Sequence, residues 1–227
     1  MLNGDLYPDL IRLGGLASAM SHTARTDSVD LGEIRTEPGR RGHGRFTAAA
    51  LPADRGTVSV CLGADERWFS ITIADDAHVW TTGGTDDLHQ LVGVTDAWRR
   101  GATLRELHDR FPFMSCTAMA QAYEDGTPVV AQWERLLAHE EYVAERPLLR
   151  AAHAEPRLRT LFPVLSHGSL ILSRDPYDRT SEEFRIIPRT DGGYRVGSTN
   201  PNGSEHEVTS LEEALVAVLI LLGPAPS

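Results

Sequence analysis

Two groups of short runs with alternating apolar and polar residues constrain the fold of this chain more than any other feature. The first group contains the runs TVSVCLG, WFSITIAD and HVWTTG, and the second contains SLILS, EFRIIPR and GYRVGS. Alternation with a period of two is typical of strands that bury one face. The turn-forming residues ADD and TDGG separate neighbouring runs, and we expect hairpins there. The sequence therefore predicts antiparallel sheets in two separate stretches of the chain.

Helical patterns surround both groups of strands. We predict one helix over residues 8–21, and a long amphipathic helix from the middle stretch PVVAQWERLLAHEEYVAE. A helix also follows each group, and the second of these contains ALVAVLILLG, which indicates a buried helix. We therefore predict an α+β fold with two small antiparallel β-sheets, each packed by a helix and joined by a helical middle segment.

The same order of elements occurs twice, over roughly residues 57–100 and 168–222. This order favours an internal duplication, for which chance similarity is the alternative. With 227 residues, the chain fits one large domain or two small ones. We expect an N-terminal α+β unit over 1–125, and a helical linker with a C-terminal α+β unit over 126–227; packing as one domain is the alternative.

The charged residues exclude several classes of function. The formal net charge is −10, which argues against a basic surface for nucleic acid. The chain contains no lysine, and this excludes a Schiff-base lysine, a phosphate-loop lysine and a kinase-type lysine. We see neither an apolar run long enough to span a membrane nor a secretory signal. These features predict no nucleic-acid partner, no membrane partner and a cytoplasmic location.

Motifs for cofactors and metals are also missing from the sequence. It has no dinucleotide fingerprint, glycine-rich phosphate loop or nucleophile elbow, so we expect no cofactor. Its two cysteines, Cys61 and Cys116, are too few and too far apart for a zinc site of their own. We expect both in the core, although a position just before a helix would lower the pKa of the Cys116 thiol.

His167 is the histidine most suited to chemistry. It lies in a Ser-His-Gly turn before a probable strand, and an imidazole is the usual general base near neutral pH. The alternative is that Ser166 and His167 only fix the turn, since a lone histidine lacks the partners that a site requires. His153 lies on a helical segment, where a solvated position is the simpler interpretation.

Arginine and tryptophan side chains supply further candidates for binding. Arginines recur between Arg146 and Arg159, where they can bind carboxylate or phosphate groups or, as we expect, form ion pairs with neighbouring Glu and Asp. Trp80 lies in a strand beside two threonines and either lines a peptide groove or belongs to the core.

Two longer stretches resemble a known family. They are AWRRGATLRELHDRFPFM and LLRAAHAEPRLRTLFPVLSHGSLILS, within a resemblance that covers roughly residues 90–200. They are similar to an uncharacterised actinobacterial family whose members are labelled natural product biosynthesis proteins. Such proteins accompany a kinase-like phosphotransferase and an effector-type lyase in class V lanthipeptide pathways. The resemblance implies a cyclase that adds cysteine thiols of a precursor peptide to dehydrated Ser or Thr residues.

The implied cyclase would work without a metal, because the sequence has no zinc signature. It would need a histidine base, with His167 as the first candidate and His153 as the second. Arg159 or Arg185 would stabilise the enolate oxygen, and a strand edge would hold the peptide. The alternative is a non-catalytic adaptor that binds the precursor peptide or the kinase-like and lyase-like proteins. An immunity protein is a third option, without positive support.

Overall fold

The chain forms two compact α+β units. The structure is a computed structural model that describes residues 3–36, 47–178, 180–200 and 205–224. Its units span Met1–Glu124 and Asp125–Ser227, and each has its own hydrophobic core. Each unit contains one five-stranded antiparallel sheet, so the predicted α+β fold with two antiparallel sheets is confirmed.

Unit 1 is built on a sheet of five sequential strands in the order β1-β2-β3-β4-β5. On the outer side of β1, the backbone of Arg35 exchanges two hydrogen bonds with Ala50 at 2.8 Å. The elements of unit 1 are α1 Pro8–Leu13, α2 Leu16–Thr26, β1 Ala48–Ala53, β2 Gly56–Leu62, β3 Phe69–Ala74, β4 Val79–Thr85, α3 Leu88–Arg99, α4 Leu104–Arg110, β5 Met114–Ser115 and α5 Ala118–Glu124.

The predicted helix over residues 8–21 is divided in the structure. Gly14 and Gly15 have φ angles of 86° and 113°, a region that only glycine adopts at little cost. The Gly14 N–H donates to the carbonyl of Ile11 and ends α1, and α2 starts directly afterwards. The prediction of one helix was therefore wrong because the glycine pair ends the first helix and begins the second.

Tyr7 ties the N-terminal segment to the sheet of unit 1. Its side chain is buried, and its hydroxyl lies 2.9–3.1 Å from the carbonyls of Gly63, Glu66 and Trp68. The hydroxyl also accepts the N–H of Trp68 at 3.0 Å. One phenol therefore accepts the Trp68 N–H and donates its single proton within this group of carbonyls of the β2–β3 connection.

Unit 2 contains a second meander, in the order β10-β9-β8-β7-β6. Its core packs α8 against β8, β9 and β10, and α6 against β6 and α7. The elements of unit 2 are α6 Pro128–Ala138, α7 Arg146–Ala154, β6 Phe162–Ser166, β7 Ser169–Ser173, β8 Glu183–Pro188, β9 Tyr194–Ser198, β10 His206–Val208 and α8 Leu211–Leu222.

The long middle helix of the prediction ends early. His139 follows α6 with an extended backbone at φ −70° and ψ 127°, and its ring accepts the N–H of Glu141. A single 3₁₀ turn, Glu140–Tyr142, follows, and α7 starts only at Arg146. The predicted helix is therefore one shorter helix followed by a capped 3₁₀ turn, and α7 lies beyond it.

Polar groups hold both ends of α8. Ser210 accepts the N–H of Glu213 at the N-terminus. At the C-terminus, Arg174 donates to the carbonyl of Leu222 at 2.9 Å, and Arg157 donates to the carbonyl of Gly223. Guanidinium groups at this end also complement the helix dipole. Within the described ranges, no helix combines the length and apolar character needed to cross a bilayer.

Candidate functional site

The structure places His167 and Ser166 at the hairpin between β6 and β7. His167 and Gly168 form the two-residue turn with φ angles of 49° and 76°, and Ser166 pairs with Ser169. Both positive angles are those of a type I′ hairpin turn. The two side chains are exposed, and the described part of the chain offers the His167 ring no hydrogen-bonding or ionic partner. This geometry accounts for a turn and supplies no acid or base partner.

The other predicted residues of unit 2 lie on different elements. His153, on α7, packs its ring against Trp133 with centroids 5.2 Å apart. Arg159 is exposed after α7, and Arg185 on β8 donates to the Glu183 carboxylate at 2.8 Å. The structure therefore does not bring His153, Arg159 and Arg185 together with His167 as one set of contacting side chains.

The arginine-rich stretch also differs from expectation. Arg146 donates to the carbonyl of His139 at 3.2 Å, and Arg157 donates to the carbonyl of Gly223. Both guanidinium groups satisfy helix and turn carbonyls, whereas we expected ion pairs with carboxylates. Among the described residues, the ion pairs of unit 2 involve other arginines.

Trp80 belongs to a polar and aromatic cluster in unit 1, which we call the Asp75–His78 cluster. Its indole Nε1–H donates to Asp75 Oδ2 at 3.0 Å, and Asp75 Oδ1 lies 3.2 Å from His78 Nδ1. The His78 ring lies edge-on to Tyr123 at 4.0 Å and only 11% of its side chain is exposed. Arg55 lies over the Trp80 ring at 5.4 Å. Asp75 thus orients the His78 imidazole, which is surrounded mainly by aromatic rings.

Asp75 remains charged in this cluster. Burial raises the pKa of the Asp75 carboxyl, but hydrogen bonds from the backbone N–H groups of His78 and Ala77 and from the His78 ring outweigh it. The net result is a pKa below the ordinary value. Asp75 therefore places a negative charge 3.2 Å from His78 Nδ1, which is the arrangement by which a carboxylate orients a general base.

Both cysteines are exposed, so their predicted core positions were wrong. On β2, Cys61 lies on the same face as Thr57 and Ser59, whereas Val58 and Val60 point to the core. For Cys116, partial burial and the nearby Glu124 carboxylate raise the thiol pKa above its ordinary value. A nucleophilic Cys116 is therefore disfavoured, contrary to the effect expected of a helix N-terminus.

A metal would find few ligands in the described parts of the chain. No three His, Cys, Asp or Glu side chains there lie close enough together to hold an ion. Among the described residues, the Asp75–His78 cluster offers groups for acid–base chemistry, and the apolar surface described next offers a surface for binding.

The outer face of α8 is an apolar surface that the sequence analysis missed. Val216 and Ile220 are 55% and 70% exposed, although α8 was interpreted as buried. Between these side chains and β10 lies a groove of about 370 Å³, which we call the α8–β10 groove. It is lined by His206, Val208, Glu212, Glu213, Val216, Ala217 and Ile220. The sequence contains a signal for this surface, because α8 is apolar on all sides. Such a helix is stable only when every side is buried, by this chain or by a partner.

The two edges of the sheet in unit 2 differ in how they are protected. Next to β6, Gln132 Nε2 donates to the Pro163 carbonyl at 2.9 Å and Trp133 Nε1 donates to the Leu161 carbonyl at 3.1 Å. Pro163 itself has no N–H. These features close the β6 edge against a further strand. The other edge is β10, beside the α8–β10 groove.

Part of unit 2 matches a known family model. Residues 127–225 match the model of a family described as "Family of unknown function (DUF6193)". No curated protein and no solved structure matched the chain. The matched residues include β6 to β10 and α8, so they contain the α8–β10 groove.

Proposed function

We propose that this chain is a binding component of a ribosomal peptide pathway of the lanthipeptide type, which holds the precursor peptide for the kinase-like and lyase-like proteins. The observation that carries the proposal is the exposed apolar face of α8 beside the groove. The pathway comes from the sequence resemblance. An apolar groove with a few polar groups on its rim is the usual form of a peptide-binding surface.

The exposed side chains on α8 can supply useful binding energy. Full burial of an aliphatic side chain contributes about 1.5–3 kcal/mol. Because Val216 and Ile220 are more than half exposed, a ligand that covers them would gain roughly 1–2 kcal/mol from each. Two such contacts correspond to about a hundredfold in affinity, which suits reversible delivery of a peptide.

The test measures binding of a dehydrated lanthipeptide precursor by fluorescence anisotropy. We expect the double variant Val216→Asp/Ile220→Asp to bind at least tenfold more weakly than the natural chain. Val130→Asp is the matched control, because Val130 is 58% exposed on α6. Equal affinities for the double variant and the natural chain would refute α8 as the binding surface, and no binding by the natural chain would refute the proposed function.

A second candidate function is the metal-free thioether cyclase, which the Asp75–His78 cluster favours. In this mechanism His78 removes the proton from a cysteine thiol of the peptide, and the sulfur forms a C–S bond with the β-carbon of a dehydroamino acid. The electrons of the C=C bond move to give an enolate, which takes a proton back from the imidazolium. Asp75, 3.2 Å from the ring, stabilises that imidazolium.

Thiol capping separates the two candidates. The chain is incubated with dehydrated precursor, free thiols are alkylated, and the product is weighed by mass spectrometry. A cyclase lowers the number of capped thiols relative to a control without protein, and His78→Gln should abolish this loss. If His167→Ala abolishes it and His78→Gln does not, the base is His167. An unchanged number of capped thiols, together with binding, supports the binding component.

A further inference from the structure

The backbone of β10 has one residue whose polar groups point away from the sheet. Thr199 N–H donates to the Glu183 carbonyl at 2.9 Å, so the odd-numbered residues of β9 bond to β8. The even-numbered residues Tyr194 and Val196 therefore face β10, opposite Val208 and His206. By this alternation, the N–H and C=O of Glu207 point outward.

The α8–β10 groove lies beside this open position. His206 and Val208 flank Glu207 and present their side chains to the groove, beneath Val216 and Ile220 of α8. A strand added next to β10 would send every second side chain to the same face. On that face, the side chains of the added strand would contact Val216 and Ile220 of α8, which already line the groove. In the described part of the chain, no strand pairs with this side of β10 under α8.

The charges at the rim select what that strand can contain. Glu212 and Glu213 line the groove and are exposed. Hydrogen bonds from the Thr209 N–H and hydroxyl hold the pKa of Glu213 below its ordinary value, and Glu207 pairs with Arg189 on the opposite face. Glu212 makes no hydrogen bond or ion pair with the described residues and is the carboxylate open to a ligand. The complementary charge on a ligand is positive.

We infer that an extended peptide segment binds unit 2 as a sixth, antiparallel strand beside β10. Its central residue exchanges two backbone hydrogen bonds with Glu207. The two residues on either side of that centre are apolar and occupy the groove under Val216 and Ile220. A Lys or Arg two residues beyond this apolar-x-apolar sequence points to the same face as the apolar residues and lies near Glu212. The inference rests on the proposed function and adds the binding mode and the class of ligand.

The experiment uses a synthetic peptide, acetyl-Lys-Thr-Val-Thr-Val-Thr-Lys-amide, titrated into the ¹⁵N-labelled full chain and followed by NMR. We expect the amide signals of Glu207 and Val216 to shift most. Methylation of the central Thr nitrogen removes the donor to the Glu207 carbonyl and should weaken binding about three- to tenfold. Methylation of a neighbouring Val nitrogen, which points away from β10, is the matched control and should change the affinity less than twofold.

Each result bears on one of the two proposals. Equal effects of the two methylations, or shifts that avoid Glu207, would overturn strand addition while leaving precursor binding intact. If the chain binds neither this peptide nor the precursor, both proposals fail. Sedimentation of the free chain tests the competing occupant: a dimer that the peptide does not dissociate, with no shift at Glu207, would give the β10 edge to a second copy of the chain and overturn the inference.

Discussion

The substitution Gln132→Met tests whether a side chain closes the β6 edge. Gln132 is 5% exposed, and its Nε2 donates to the carbonyl of Pro163 at 2.9 Å. Its Oε1 accepts the Arg135 Nε–H at 2.9 Å. Methionine has a similar length and volume, so the change removes hydrogen bonds with little loss of packing.

The expected cost follows from the groups left without partners. The Pro163 carbonyl lies on a buried residue, and a buried polar group that loses its partner costs about 1–3 kcal/mol. The exposed guanidinium of Arg135 can turn to water, so we take about 1.5 kcal/mol in total. With a slope of about 1.5 kcal/mol per M urea for a domain of this size, the midpoint should fall by about 1 M.

Urea unfolding read by hydrogen exchange of peptides from residues 125–227 assigns the transition to unit 2. Gln90→Met is the matched control, because Gln90 is exposed on α3 in unit 1 and should not move that midpoint. A shift of less than about 0.2 M in Gln132→Met would refute the idea that this side chain stabilises the edge. In Gln132→Met, we expect amide hydrogen exchange to speed up more in β6 than in β9, relative to the natural chain.

Three further predictions concern unit 1. Tyr7→Phe should destabilise it by about 1 kcal/mol in thermal or urea unfolding, because the lost hydroxyl removes hydrogen bonds to partly buried backbone groups; an unchanged midpoint would contradict this. Hydrogen bonds from Arg67 lower the pKa of Asp9, so the pair contributes stability above the ordinary carboxyl pKa, and that stability disappears as the pH falls through the lowered value. The difference in stability between the natural chain and Asp9→Asn should therefore be roughly 1 kcal/mol at pH 7 and shrink towards zero in acid; a difference independent of pH would argue against it. Iodoacetamide should alkylate Cys116 more slowly than a free thiol at pH 8, because partial burial and then the Glu124 carboxylate raise the thiol pKa. Glu124→Gln removes the second cause and should speed the reaction; an equal rate in the variant would exclude Glu124 as a cause.

The sequence predicts the strands with regular alternation and misses the shorter or irregular ones. Runs such as TVSVCLG and SLILS became β2 and β7. We named no strand at β5, which has two residues, at β10, which has three, or at β6, where proline interrupts the pattern. Their pairing is fixed by neighbours in space, which local pattern does not encode.

The candidate surfaces were less predictable than the fold. Apolar residues on every side of α8 indicated burial, but the extent of cover depends on how many strands lie beneath the helix. The five strands end at β10 and leave Val216 and Ile220 outside. The Asp75–His78 cluster was similarly hidden, since ADDAH indicated only a hairpin turn and Tyr123 joins the cluster from a distant part of the sequence.

The separate cores of the two units have a consequence for how such a chain can evolve. The family match spans residues 127–225, and unit 2 spans residues 125–227. Selection acting on the sheet and α8 of unit 2 therefore leaves the packing inside unit 1 largely unconstrained, since each core is filled by its own side chains. We expect relatives that keep unit 2 and carry a divergent or unrelated domain in place of unit 1. The same C-terminal module would then occur next to N-terminal domains with different functions.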